Sequence, residues 1–350
     1  MIEPYINVEL FPDNIYMEKG VFQQSVNFEF RFYTDSDEPL ELQEVNVDGY
    51  DEACRLLFTF PLNSFGFIPP ILLVTERKVE RGKTLEIFNP IPNYPTGYAI
   101  NRLHYKFKFR SRSGIRVEAK KIVLPVVYEQ KRSLILPFKG ACLVTEGHDY
   151  FTHHRRNFPL FHPIIQKIGI KGNNSRFAYD FVLLDDEFKM YEGTPTRNED
   201  FFCWGKPILG PGDGEIVALE RDSPDNSYNT FPAFDVEAHI RDPETEMKKH
   251  LGNFLMIDHG GGEYSVLAHM MKGSVKGREG ATIRKGEMIG RLGNSGDSFF
   301  PHLHYQLQNG PGILKPEGLP SKFESFDLMM GNEVKRLENA CPNTGMIVKS

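Results

Sequence analysis

The stretch that decides the fold lies in the last third of the chain, where residues 301–308 read Pro301-His302-Leu303-His304-Tyr305-Gln306-Leu307-Gln308. A turn-forming run, Gly293-Asn294-Ser295-Gly296, comes shortly before it. The alternation from His302 onward predicts a β-strand, because successive side chains of a strand point to opposite faces. One face then carries four polar side chains: His302, His304, Gln306 and Gln308. Two imidazoles side by side indicate a bound group, which is a metal ion, a transferred phosphoryl group or a reacting carbonyl.

Length and composition are those of an ordinary globular protein. The 350 residues allow two domains and a sizeable core. A net charge of −6 gives no reason to expect nucleic acid or an anionic membrane as partner. No apolar run approaches the roughly 20 residues that span a bilayer. The four cysteines show no CxxC spacing, so we expect buried thiols rather than disulfides or a sulfur metal site.

The N-terminal sequence Met1-Ile2-Glu3-Pro4-Tyr5 lacks the basic start and apolar core of a signal peptide. We therefore expect a cytoplasmic protein as the sequence stands, or an exported one if a leader has been removed. The sequence leaves the oligomeric state open.

Residues 1–132 are rich in β-strand patterns. Two segments alternate aromatic with polar residues, namely Val26–Phe32 and Tyr105–Arg110, as half-buried antiparallel strands do. Further short strand candidates are separated by turn signals such as Glu80-Arg81-Gly82-Lys83. We predict an immunoglobulin-like β-sandwich. It carries no cluster of catalytic residue types.

A second domain is predicted over residues 133–330, with a C-terminal tail at 331–350. Nearly all the histidines lie in the second domain. A polar insertion, residues 221–252, allows one short helix with Asp242 as N-cap and Pro243 at the first position.

Asp180 lies in an otherwise apolar strand, Phe177-Ala178-Tyr179-Asp180-Phe181. A buried aspartate costs several kcal/mol if it is left unpaired, so it needs a cation, a hydrogen-bond network or a metal.

These residues predict a zinc site built from Asp180, His269, His302 and His304, plus a histidine from residues 146–163. Catalytic zinc usually has three N/O protein ligands and one open position for water. It lowers the pKa of that water to about 7. The remaining histidines would accept the proton and hold the developing oxyanion.

The chain resembles the LytM/lysostaphin-type zinc metalloendopeptidases, which cut peptidoglycan peptides. The resemblance covers about residues 145–310 and rests on four motifs: His302-x-His304, Gly293-Asn294-Ser295-Gly296, Tyr264-Ser265-x-Leu267-Ala268-His269, and the strand around Asp180. It implies an antiparallel β-sheet peptidase domain of the duplicated-hybrid-motif type, and hence an all-β chain. It also implies a zinc metalloendopeptidase acting on peptidoglycan stem or cross-bridge peptides.

The resemblance assigns Asp180 and His304 as zinc ligands and His269 and His302 as catalytic. Where the common family pattern has a histidine four residues before the aspartate, this chain has Arg176. We therefore expect the third ligand to be His154, with His153 as the alternative. Phe299 and Phe300 replace the usual small residues before the HxH motif, which predicts a narrower or differently selective groove.

Other functions remain open at this point. A phosphocarrier of the sugar-phosphotransfer type also uses two facing histidines, but it has no need of Asp180. A lipoyl-type carrier needs an exposed lysine at a hairpin tip, and no such lysine stands out in this sequence. A degenerate peptidase that binds peptide or a partner without cutting is the main alternative.

Overall fold

A computed structural model describes residues 5–148, 152–230 and 232–350. The chain divides into two compact units, Met1–Tyr128 and Glu129–Ser350, called unit 1 and unit 2. In the described residues strands dominate and helices are few and short. The predicted all-β class with antiparallel sheets is confirmed, whereas the immunoglobulin-like type of unit 1 stays a prediction.

Unit 1 is built from strands and one 3-10 turn, Pro70–Leu73. The strands are β1 (Ile6–Phe11), β2 (Met17–Lys19), β3 (Gln23–Val26), β4 (Glu29–Thr34), β5 (Leu40–Tyr50), β6 (Leu56–Asn63), β7 (Lys78–Val79), β8 (Leu85–Phe88), β9 (Asn93–Pro95), β10 (Arg102–Ser111) and β11 (Arg116–Val123). They form sheets of order β1-β4-β8, β11-β10-β5-β6 and β2-β3-β9, with β7 paired to β5.

Aromatic side chains from two of these sheets form the core of unit 1. The ring of Phe30 lies 4.8 Å from that of Tyr105 and 4.9 Å from that of Phe107, and Phe32 lies 5.5 Å from Phe109. All five rings are buried, as their alternation with polar residues predicts. Edge-to-face pairs of this kind add about 0.5–1.5 kcal/mol each beyond the area that they bury.

Unit 2 contains the remaining elements. Its strands are β12 (Ala141–Glu146), β13 (Tyr179–Leu183), β14 (Pro207–Leu209), β15 (Gly214–Glu220), β16 (Asn253–Asp258), β17 (Tyr264–Met270), β18 (Thr282–Ile283), β19 (Met288–Arg291), β20 (Leu303–Gln308), β21 (Gly318–Leu319), β22 (Phe323–Met330), β23 (Glu333–Ala340) and β24 (Ile347–Lys349). Its α-helices are α1 (Pro163–Ile168), α2 (Val236–Arg241) and α3 (Pro243–Leu251), and 3-10 turns lie at His154–Arg156 and Asn198–Asp200.

One large sheet organises unit 2, with the order β18-β15-β16-β17-β20-β13-β12-β24-β22-β23. Strand β20 lies in its middle, antiparallel to β17 and to β13. Residues 331–350 contribute β23 and β24 to this sheet, so the segment that the sequence marked as a tail is part of unit 2. A separate pair, β14 and β19, completes the unit.

The polar insertion contains the expected helix. Asp242 caps α3 by accepting a hydrogen bond from the backbone N–H of Thr245 at 3.3 Å, and Pro243 is its first residue. A second helix, α2, precedes it with Asp235 as its N-cap. None of the helices in the described ranges has the length and apolar character needed to cross a membrane. All four cysteines are free, but Cys54 is exposed rather than buried, contrary to expectation.

A buried histidine fixes the hairpin between β16 and β17. His259 donates from Nδ1–H to the carbonyl oxygen of Asp213 at 2.7 Å, and its Nε2 accepts from the Ser265 hydroxyl at 2.8 Å. Burial lowers the pKa of His259 below its ordinary value of 6.5, although the hydrogen bond to Asp213 acts in the opposite direction.

This lowered pKa predicts an acid-sensitive contribution to stability. As the pH falls below 6.5, the unfolded chain binds the proton before the folded one, so the contribution is complete above pH 6.5 and declines below it. Replacing His259→Asn should remove the effect, and the stability difference between wild type and variant should shrink on acidification by at most about 1.4 kcal/mol per pH unit. Urea unfolding at pH 7.5 and 5.5, with a chelator present, measures it. A difference independent of pH would contradict the assignment.

Candidate metal centre

Three neighbouring strands bring the predicted site residues together. Asp180 on β13 is directly opposite His304 on β20, and His304 is opposite Ala268 on β17. Residues paired in this way point to the same face of the sheet. A regular strand would send His269 to the other face, but its φ of 61° breaks the alternation. Its ring then lies 5.6 Å from that of His304, on the same face as Asp180.

The carboxylate of Asp180 lies at the centre of the imidazoles. Its Oδ1 is 3.1 Å from Nδ1 of His304 and 3.6 Å from Nε2 of His302. Its Oδ2 is 3.4 Å from Nε2 of His154. The side chains of all these residues, and that of His269, are buried.

His154 reaches the cluster from the 3-10 turn that it begins. Its carbonyl oxygen accepts a hydrogen bond from the Asn173 side chain at 2.9 Å, and the Thr152 hydroxyl accepts one from its backbone N–H at 3.3 Å. The neighbouring His153 is exposed and pairs with Glu146 instead. Arg176, in the position where the family pattern has a histidine, forms an ion pair with Glu317.

Hydrogen bonds to backbone carbonyls fix the orientation of two of the imidazoles. His269 donates from Nδ1–H to the carbonyl oxygen of Ser295 at 2.8 Å, and His302 donates from Nδ1–H to that of Phe300 at 2.9 Å. Carbonyl oxygens only accept, so these nitrogens carry the proton and each Nε2 keeps its lone pair. Nε2 of His302 faces Asp180, at 3.6 Å from Oδ1.

The arrangement of donors fits a tetrahedral divalent ion. One ligand atom from each of His154, Asp180 and His304 lies within 4.8 Å of the others. Ligand atoms about 2.0–2.1 Å from a tetrahedral zinc ion are about 3.3 Å apart. Two separations at Asp180 are close to that value, 3.4 Å from Oδ2 to Nε2 of His154 and 3.1 Å from Oδ1 to Nδ1 of His304. The ligand roles of these residues stay a prediction.

Part of unit 2 matches a known family. Residues 238–316 match the model of peptidase family M23. The matched range includes His269, His302 and His304, whereas Asp180 and His154 lie upstream of it.

Two curated relatives share part of the chain. It is 41% identical over 121 residues to an uncharacterized metalloprotease of Haemophilus influenzae, a match that covers 34% of this chain and 20% of the relative. It is 24% identical over 156 residues to the cell division protein DipM of Caulobacter vibrioides, covering 45% of this chain and 18% of the relative. The matches thus span about a fifth of the length of each relative.

Solved structures with some likeness include the M23 metalloprotease pseudoalterin from the deep sea, with 13% identity and a TM-score of 0.30 over 61% of this chain and 96% of that one. A zinc-containing peptidase from Vibrio cholerae has 14% identity and a TM-score of 0.27 over 91% and 86%. Both TM-scores lie below 0.5, so neither likeness bears on the fold or the site.

Burial sets the protonation of the cluster around Asp180. It lowers the pKa of His154 and of His269 well below 6.5, and the neighbouring imidazoles add to this, so both rings are neutral at neutral pH. Burial opposes ionisation of Asp180, but His154, His302 and the hydrogen-bonded His304 outweigh it and hold its pKa well below the ordinary value. An ionised carboxylate and neutral imidazoles are the forms that bind metal.

The protonation of His153 differs from that of His154. Burial acts to lower its pKa, but the hydrogen bond with Glu146 and the charge of Asp180 outweigh burial and raise it. His153 faces Glu146 whereas Nε2 of His154 faces Asp180, which favours His154 over His153 as the third ligand.

A cavity of about 620 Å³ opens over the cluster. Its walls are largely apolar and include Phe158, Ile165, Phe234, Met247, Phe299 and Phe300. Sequence reasoning missed several polar residues that line it, among them Glu146, His250 and Asp297. His250 and Asp297 are paired at 3.3 Å, but they are 47 positions apart and no motif links them. For Glu146 the only signal is its position in a strand, because the register places it opposite Asp180.

The loop that carries Ser295 depends on a close approach of two backbones. Gly296 has a φ of +74°, and a Cβ there would collide with the backbone of Gly252 and with the carbonyl oxygen of His250. The Ser295 hydroxyl, in turn, donates to the carbonyl oxygen of Met270 at 2.8 Å and anchors the loop to β17. The position of the His269 acceptor therefore requires glycine at 296.

We expect Gly296→Ala to lower the free energy of unfolding by about 2 kcal/mol or more, because it adds a backbone clash to an unfavourable φ. Gly273→Ala is the matched control, since its φ is +71° but nothing lies within 4 Å of the added methyl group. The control should lose only about 1–2 kcal/mol. Equal losses in chemical denaturation would show that the close approach is unimportant.

Proposed function

We propose that unit 2 is a zinc metalloendopeptidase in which His154, Asp180 and His304 hold the ion. The observation that carries the proposal is the convergence of imidazole nitrogens on one buried, ionised carboxylate. Oδ1 of Asp180 lies 3.1 Å from Nδ1 of His304, and Oδ2 lies 3.4 Å from Nε2 of His154. The match of residues 238–316 to peptidase family M23, whose members depend on zinc, supports the choice of metal.

In this proposal the three ligands leave a fourth position open toward the cavity. A zinc ion held there would lower the pKa of its water and polarise the carbonyl group of a substrate. Asp180 would supply the one negative charge of the ligand set, because His154 and His304 would bind the ion as neutral imidazoles.

His269 and His302 are proposed to handle protons. Their rings are 4.8 Å apart. Each holds Nδ1–H in a hydrogen bond to a backbone carbonyl, so each Nε2 is available to accept a proton from the attacking water. Once protonated, the same nitrogen donates to the oxyanion or to the leaving amine.

The proposed substrate is a peptide of the peptidoglycan stem or cross-bridge. Support comes from the resemblance to LytM/lysostaphin-type enzymes and from the cavity of about 620 Å³ that is lined by the proposed ligands. DipM, a partial relative of this chain, is a cell division protein. Phe299 and Phe300 line the cavity and would select against bulky groups on that side.

Metal analysis tests the ligand set. We expect about one zinc ion per chain, lost in His304→Ala, Asp180→Asn and His154→Ala, because each change removes one of three ligands. His153→Ala is the control and should keep its zinc, since His153 faces Glu146. If His153→Ala lost its zinc and His154→Ala kept it, His153 would be the third ligand. A wild-type protein that folds without binding zinc would refute the proposal.

Turnover tests the proton-handling residues. His269→Ala and His302→Ala should keep zinc but lose about 10²–10⁴-fold in rate, the range of a general acid–base group. The measurement is a digest of purified peptidoglycan and muropeptides with product masses, compared with wild type and His153→Ala. A variant with full activity would exclude that residue. A zinc-loaded wild type that forms no product would favour a binding protein without catalysis.

A further inference from the structure

The polar face of β20 continues beyond the histidines into the protein interior. Gln306 is 1% exposed and Gln308 is 0% exposed, and both share the face of His304. A buried amide that is not hydrogen-bonded costs about 1–3 kcal/mol. Nothing in the proposed hydrolysis uses these two side chains.

The two glutamines form a hydrogen-bonded chain whose direction is fixed at its far end. Gln308 donates from Nε2 to the carbonyl oxygens of Gly310 and Gly312, at 2.7 and 2.8 Å. Because carbonyl oxygens only accept, Gln308 must turn its own Oε1 toward Gln306. Gln306 donates to that oxygen from Nε2 at 2.6 Å.

The same donor–acceptor direction determines which nitrogen of His304 carries the proton. The Oε1 of Gln306 lies 2.8 Å from Nε2 of His304, and this amide oxygen also only accepts. His304 must therefore carry its proton on Nε2. The neutral form that binds a metal has one N–H, so in that form Nδ1 keeps its lone pair, and this atom lies 3.1 Å from Oδ1 of Asp180.

We propose that Gln306 and Gln308 are positioning residues that set the tautomer and the ring orientation of His304, so that it binds the metal through Nδ1. The inference rests on the proposed function, because it assumes that His304 is a ligand. Partners on the far side of a ligating histidine raise metal affinity by fixing its tautomer and orientation. Here those partners are the neutral amides of Gln306 and Gln308. The hydrogen-bonded chain from Gln308 through Gln306 to His304, called the relay, therefore adds no charge to the core.

Metal affinity separates this role from simple packing. Gln306→Met keeps the volume of the side chain but removes the acceptor, and zinc affinity should fall about 10–100-fold. Gln306→Glu keeps an acceptor for His304, and zinc affinity should stay within about threefold of wild type. Gln308→Met leaves Gln306 in place but unoriented, so its loss should be smaller than that of Gln306→Met. Competition with a chromophoric chelator measures these affinities.

Gln166→Met is the matched control, because it makes the same atomic change at an exposed position of α1. It should leave zinc affinity unchanged. If Gln306→Met binds zinc within threefold of wild type, or if Gln306→Met and Gln306→Glu lose affinity equally, the relay is refuted. These outcomes leave the proposed function intact, whereas a wild-type protein that binds no zinc refutes the proposed function itself.

A spectroscopic measurement on the unaltered protein covers the case in which Gln306→Met fails to fold. Long-range ¹H–¹⁵N spectra of the zinc-loaded full chain, labelled in histidine and with His304 assigned, report which ring nitrogen carries hydrogen. We expect a proton on Nε2 that exchanges slowly and coordination through Nδ1. Coordination through Nε2 would overturn the inference even if the site binds zinc.

Discussion

The buried carboxylate of Asp180 is the group on which the geometry of unit 2 depends. An ionised group in a sheet interior is stable only where it meets positive charge or several donors. Adjacent strands are about 4.8 Å apart, so residues opposite one another on β13, β20 and β17 can surround one point. The antiparallel register places Asp180 opposite His304. A shift of one residue would turn the carboxylate to the other face.

The rest of the unit holds the other imidazoles at that point. The unusual φ of His269 costs about 1–2 kcal/mol for a residue that is not glycine, and the hydrogen bond to Ser295 offsets part of it. A buried network holds the loop of Ser295 in turn. Asn294 donates to Asn198 at 2.9 Å, and Ser298 donates to Asn294 at 2.7 Å. The motif around Gly293 thus shapes the site without contacting the ligand atoms.

The sequence predicted which side chains share a face of one strand, but not most contacts between residues far apart in the chain. The alternation over residues 302–308 gave the shared face of His304, Gln306 and Gln308, because a strand has a fixed period of two. It did not give the relay, whose direction depends on backbone carbonyls at Gly310 and Gly312, beyond the strand. Its place in an apolar strand marked Asp180 as a group that needs a partner, and the resemblance supplied its role as a ligand beside His304, 124 positions away. The choice between His153 and His154 needed a 3-10 turn that no periodicity marks, and the contact of His250 with Asp297 had no sequence signal.

The hydrogen-bond partner of each imidazole determines which of its nitrogens is available to accept a proton or bind a metal. His269 and His302 are held through Nδ1–H by backbone carbonyls, so a proton arriving at Nε2 leaves that anchor intact and strengthens it, because charged donors form stronger hydrogen bonds. His304 is held through Nε2–H by Gln306, so a proton arriving at Nδ1 would occupy the lone pair that binds metal. The first two rings can therefore gain and lose a proton without moving, and the third serves as a ligand only while it gains none. This difference separates the proposed bases from the proposed ligand, although all three lie within one cluster and have the same side chain.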